Sequence, residues 1–189
     1  SVDFLYGVTV LGPATLDGSV SASFATTALA QGSHPITVRY AGDVSFATST
    51  SAVLAQAVGL AATSSSVLAS VNPSAFGQAV TFTATVAPVA PGAGTPSGSI
   101  AFFDGSTAIG SASLDASGAA SLSTSALAVG SHAVTAVYAG DGSFTGSTSP
   151  VLTQAVAQAA TTTIVTRSPH PAVPGQPVTF TASVAAVAP

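Results

Sequence analysis

The sequence predicts an all-β chain built of antiparallel two-sheet sandwiches, each of about seven strands with Greek-key connections. Three observations predict it. The helix formers Lys and Glu are absent, and 18 Gly and 12 Pro interrupt the chain. Short runs alternate apolar and polar side chains between turn residues, the mark of half-buried strands. The sequence also repeats itself at an offset of 98 residues, about the length of one such sandwich.

The repeat runs without a gap. Gly32-Ser33-His34 returns as Gly130-Ser131-His132, and Tyr40-Ala41-Gly42-Asp43 as Tyr138-Ala139-Gly140-Asp141. Leu16-Asp17 matches Leu114-Asp115, Phe46 matches Phe144, and Gln56-Ala57-Val58 matches Gln154-Ala155-Val156. Thr81-Phe82-Thr83-Ala84 returns as Thr179-Phe180-Thr181-Ala182, and about half of the aligned positions are identical. Solenoid units span about 20–50 residues. The repeating unit here is a whole domain of immunoglobulin-sandwich size.

One repeat divides into seven strands. Strand A covers about 63–70 and stops at Asn72-Pro73. Strand B covers about 79–87, with Val80, Phe82, Ala84 and Val86 on one face and Thr81, Thr83 and Thr85 on the other. A Pro/Gly loop from Pro88 to Gly98 leads to strand C at about 99–103, closed by Asp104-Gly105, a strong hairpin signal. Further strands fall at about 107–113, 119–124, 131–139 (strand F) and 151–156 (strand G).

These strands set the expected boundaries. Residues 63–156 form one complete domain, with linkers at 59–62 and 157–160. Residues 1–58 supply strands C to G of another, and residues 161–189 supply strands A and B of a third. Linkers this short leave little freedom, so domains are expected end to end in a stiff rod. Two accounts fit the half-domains. The chain is a window of a longer polypeptide, the reading favoured here because one long chain needs no assembly apparatus. Alternatively, the A–B strands of one chain complete the next, head to tail. Denaturing electrophoresis separates them by mass.

Composition excludes several functions. Only 4% of residues are charged, six Asp and two Arg, against about 25% in ordinary soluble domains. Two arginines cannot track a phosphate backbone or hold an anionic membrane surface. No apolar run reaches the length of a membrane-crossing helix, about 18 residues. Cysteine is absent, so no disulfide forms. A cysteine-free, Ser/Thr-rich β chain suits export, and its Thr faces suit O-linked sugars.

The motifs Asn72-Pro73, Gly77-Gln78-Ala79-Val80-Thr81-Phe82-Thr83-Ala84, Gly98-Ser99-Ile100-Ala101-Phe102-Phe103-Asp104-Gly105, Leu127-Ala128-Val129-Gly130-Ser131-His132 and Tyr138-Ala139-Gly140-Asp141-Gly142-Ser143-Phe144 occur in order. Together they resemble the bacterial immunoglobulin-like repeats strung along large secreted and cell-surface proteins. The resemblance covers essentially the whole chain. It implies tandem immunoglobulin-like sandwiches in an extracellular or cell-surface protein, and it brings no catalytic residues with it.

His34 and His132 recur in register, at the start of strand F. Immunoglobulin folds place a tyrosine there that bonds upstream backbone, so a structural corner is expected, with a ligand or pH-sensing role as its rival. Ile36, Val38 and Tyr40 share the inward face with His34, as Val134, Ala136 and Tyr138 do with His132. Asp43, Asp104 and Asp141 stand beside glycine, where Asp bonds its own turn. Asp17 and Asp115 also precede turns. His170 takes the place of Asn72 and reads as turn. Calcium loops want clustered oxygens such as D-x-D-x-D-G, and no such run occurs. No Gly-x-Ser-x-Gly elbow precedes an acid and a histidine, and no phosphate-cradling glycine loop leads into a helix. Leu5 and Phe103 neighbour inward aromatics and should point outward, under a loop or as a contact surface.

The reading that follows is a structural repeat of an extracellular fibre or filament, or of a surface stalk, with no catalysis, cofactor or metal. The alternative is an adhesin or carbohydrate-binding module. Expected partners are neighbouring immunoglobulin-like domains of the same or an identical chain, with a glycan or host-surface ligand under the rival reading. Nucleic acid and membrane insertion are excluded as above.

Overall fold

The computed structural model describes residues 1–188. Sixteen strands and no helix occur among them. They are β1 (Val2–Tyr6), β2 (Thr9–Ala14), β3 (Gly32–Tyr40), β4 (Ser49–Thr50), β5 (Leu54–Val58), β6 (Thr63–Ala69), β7 (Ser74–Ala75) and β8 (Val80–Pro88). Then follow β9 (Ser99–Asp104), β10 (Thr107–Ser113), β11 (Ala119–Thr124), β12 (Gly130–Gly140), β13 (Thr145–Thr148), β14 (Leu152–Ala157), β15 (Thr161–Ser168) and β16 (Thr179–Ala186). The chain forms two compact units. One is Ser1–Ala61 with Gly142–Thr145, and the other is Ala62–Asp141 with the chain from Gly146 onward.

The second unit holds a complete sandwich. One sheet has the order β11-β8-β6, and the other β10-β9-β12-β14-β7, with β13 also on β12. Alternation dictates the core. Val80, Phe82, Ala84 and Val86 of β8 turn inward, toward Ile100 and Phe102 of β9 and Val134, Ala136 and Tyr138 of β12, and all are at most 2% exposed. Burying each such Val, Ile or Phe contributes about 1.5–3 kcal/mol. The outward partners on β8 are Thr81, Thr83 and Thr85, where β-branched side chains suit a pleated surface.

This repeat carries nine strands, not seven, because strands A and G are each divided. After β6 the chain crosses to the other sheet, where β7 pairs in parallel with β14. The Asn72 side chain makes the crossing continuous. Its amide donates to Thr153 O at 2.7 Å, and its oxygen accepts from Ala155 N at 3.0 Å, as a strand backbone would. Strand G breaks at Ser149-Pro150, because proline has no N–H for the ladder. The buried Ser149 hydroxyl takes over, accepting from Ala136 N at 3.0 Å. Two-residue strands carry no alternation, so pattern alone does not find them.

The first unit is a single sheet of order β2-β1-β3-β4, with β5 also on β3. Its short return segment pairs with Ala61, which donates to Ser143 O at 2.8 Å and accepts from Thr145 N at 2.9 Å. The β1–β2 pairing shifts register after Phe4, as β9–β10 does beside Gly110. Residues 21–26, in repeat register with β11, form no strand. Val38, in register with fully buried Ala136, is only half-buried.

β15 and β16 form a two-stranded antiparallel sheet, from Thr161↔Ala186 to Ser168↔Thr179. Every residue of both strands is exposed.

Candidate functional site

The residues with chemical potential are scattered along the strand ends, and each is tied into the fold. His132 stands second after Gly130 on β12. Its Nε2 donates to Ala128 O at 2.8 Å, and its Nδ1 donates to Asp104 Oδ2 at 2.6 Å. The Ala128 carbonyl first, and then Asp104, hold the imidazole above its ordinary pKa, because both bonds favour the ring that carries two protons. His34 makes the same upstream bond, to Ala30 O at 2.7 Å. It has no carboxylate, because Tyr6 stands in the register of Asp104. The Tyr6 ring lies edge-on to His34 with centroids 5.0 Å apart, and buried His34 Nδ1 has no hydrogen-bond partner among the described residues.

Asp104 therefore departs from the turn role expected of it. Its carboxylate crosses to the neighbouring strand, where it takes His132 and also accepts from Ala133 N at 3.1 Å. Asp141 departs too. It accepts from Ser97 N at 2.9 Å and Ser97 Oγ at 2.7 Å, and so ties the loop after β8 to the turn after β12. Both carboxylates sit at strand ends and accept from a donor on another element.

The other acids bond locally. Asp17 Oδ1 accepts from Ser19 Oγ, Ser19 N and Ser21 N at 2.7, 2.8 and 2.9 Å. Asp115 Oδ1 repeats this with Ser117 Oγ, Ser117 N and Ala119 N at 2.6, 2.8 and 3.1 Å. The serine hydroxyl, then the backbone donors, hold both carboxyls below the ordinary value. Asp43 accepts from Tyr40 OH at 2.6 Å and from the amides of Ser45 and Phe46, and the tyrosine bond leads in lowering its pKa. The same bond raises Tyr40. Tyr138 is pushed up by burial first and by neighbouring Asp141 second. Asp3 pairs with Arg39 at 2.9 Å, and Arg167 donates to His170 Nε2 at 2.8 Å. All six carboxylates, three imidazoles and two guanidinium groups are thus engaged. Among the described residues no three His, Cys, Asp or Glu side chains gather to hold a metal ion.

Phe103 is half-buried between Ala108 of β10 and Thr135 of β12, and Leu5 takes the equivalent place between Val10 and Thr37. Neither is an open platform. Several residues that hold the fold escape a search for chemistry. Gln154 is fully buried and donates to Ser74 Oγ at 3.2 Å. Gln78 accepts from Ala75 N at 2.9 Å, as Gln176 does from Val173 N at 3.2 Å. Ser51 repeats the Ser149 bond, accepting from Val38 N at 3.0 Å. Their signal was recurrence in register: Ser51 with Ser149, Gln56 with Gln154, Gln78 with Gln176.

Two sheets in this order, tied by polar side chains at the strand ends, define an immunoglobulin-like sandwich module. The chain belongs to the bacterial Ig-like domain (group 3) family, whose model matches residues 1–59 and again 67–157. Domains of this family typically occur in surface or extracellular proteins. No match was found among curated proteins. Among solved structures, the chain is similar to the fibronectin(III)-like modules of Clostridium thermocellum CbhA, at 17% identity and a TM-score of 0.40, covering 83% of this chain and 77% of that one. No helix among the described residues is long and apolar enough to cross a membrane.

Proposed function

We propose that this chain is a structural stretch of an exported bacterial fibre or surface stalk, in which repeated sandwiches space or display other domains without catalysis. One observation carries the reading: every ionisable side chain of the chain except its termini and tyrosines is committed to a turn, a strand end or a neighbouring side chain. Groups held this way serve the fold, and the one buried imidazole nitrogen without a partner among the described residues, His34 Nδ1, lies away from solvent. The short linkers of the sequence support a linear order of domains, and a surface nearly free of charge is suited to glycosylation.

The test is binding. The full chain is applied to glycan arrays and to host-cell surfaces, with a panel of hydrolase substrates alongside. The structural role gives no saturable binding and no turnover. Saturable glycan binding that is lost on Phe103→Ala would replace it with the adhesive reading.

A further inference from the structure

Inside the complete sandwich one hydroxyl and one carboxamide are shut away together. Ser74 of β7 is 3% exposed and Gln154 of β14 is 0% exposed. Gln154 Nε2 donates to Ser74 Oγ at 3.2 Å and to Ala155 O at 3.0 Å. The other half of the carboxamide is left over. Among the described residues, Gln154 Oε1 is buried with no hydrogen-bond partner, and the Ser74 hydroxyl finds no acceptor for its own proton. Buried polar atoms left unpaired in this way weaken a fold.

The surroundings fix the pair. β7 runs parallel to β14, with Ser74 opposite Val156. Asn72 clamps the β14 backbone on both sides of Gln154, at Thr153 O and Ala155 N. On the other flank, His132 of β12 stands directly opposite Gln154 in the antiparallel register, so the two side chains share the inward face. Asp104 and Ala128 O hold that imidazole through both of its nitrogens.

We propose that Ser74 and Gln154 are a self-forming cross-link, in which the serine hydroxyl attacks the carboxamide and an ester joins β7 to β14. The Oγ–Cδ bond forms, the Cδ–Nε2 bond breaks, and the hydroxyl proton leaves on Nε2 as ammonia. Nothing is oxidised or reduced, and no co-reactant is consumed. Ser74 Oγ already touches Nε2, the nitrogen bonded to the reacting carbon. Groups fixed side by side react as if at very high concentration. Negative charge develops on Oε1 as the new bond forms, and the protonated His132 ring on the same face favours that charge.

The ester closes the chain between residues 74 and 154, in strands from the two ends of the sandwich. Like a disulfide over a long loop, it restricts the unfolded chain and so favours the folded one. The device is local to this repeat, because Ala172, which has no hydroxyl, stands at the position of Ser74 in the next.

The inference rests on the buried pair and not on the spacer reading. An ester would brace a glycan-binding chain equally, and a chain without one would leave the spacer reading standing.

Mass spectrometry of the full, folded chain tests it. After prolonged incubation at neutral pH, the intact mass should lie below the sequence mass by one ammonia. Elastase digestion should release a branched peptide that joins Ser74 to Gln154, and mild alkali should open it to a hydroxyl and a carboxylate. Ser74→Ala should abolish the loss. A parent chain that is folded by circular dichroism and keeps its full sequence mass overturns the proposal. So does a loss of ammonia that persists in Ser74→Ala or maps to other residues.

Discussion

His132 and Asp104 are joined across neighbouring strands by a 2.6 Å bond from Nδ1 to Oδ2, while the opposite ring nitrogen is held by the Ala128 carbonyl. The ring is thus built to keep two protons. A raised folded pKa means that the folded state binds the proton more tightly than the unfolded one. The stabilisation is complete below the ordinary value of 6.5 and is lost as pH rises through the raised folded value. Asp104→Asn should lower the unfolding midpoint of the second unit at about pH 5.5 and change it little at about pH 8.5. Thermal melts at the two pH values, followed by circular dichroism, check this.

At acid pH the direction reverses. Asp17, Asp43 and Asp115 have folded pKa values below 3.8, led by Ser19, Tyr40 and Ser117 respectively. Their contribution is present above the unfolded value and is lost as pH falls through the folded ones. With His132, this predicts a stability plateau from about pH 4 to about pH 6.5. Asp115→Asn should reduce the acid-limb loss of the second unit, as read by acid titration of its circular dichroism.

Gly118 is the tightest turn position of the complete sandwich. It sits at φ +76°, its carbonyl accepts from Val86 N at 2.9 Å, and an added Cβ would lie 2.6 Å from Val86 O. Gly118→Ala should destabilise by about 1–2 kcal/mol from the left-handed conformation alone, with the collision adding to it. Urea unfolding of the variant against the parent measures the loss.

Ser149→Ala removes the hydroxyl that satisfies Ala136 N inside the sheet. An orphaned buried N–H costs about 1–3 kcal/mol. Chemical denaturation should show that loss, with faster amide exchange at Ala136.

The fold was legible because alternation and the 98-residue period report the same elements. Val80, Phe82, Ala84 and Val86 alternate with threonines, so inward and outward faces of β8 follow directly. What pattern could not reach was non-local. β7 and β13 exist only through partners on distant strands, and Asn72 and Ser149 act by replacing backbone bonds there. Repetition also hides differences. His34 and His132 look alike in sequence, yet Tyr6 faces one and Asp104 the other. Val20 stands in the register of Gly118 and still holds a positive φ of 61°.

The central claim is that the recurring polar residues hold the sandwich. Thermal unfolding of His132→Ala at about pH 6 tests it most directly. Loss of the bonds to Ala128 O and Asp104 should cost about 1–3 kcal/mol, a fall of several degrees in the Tm of a domain this size. A Tm equal to that of the parent chain would contradict the claim and return His132 to the list of residues available for a ligand.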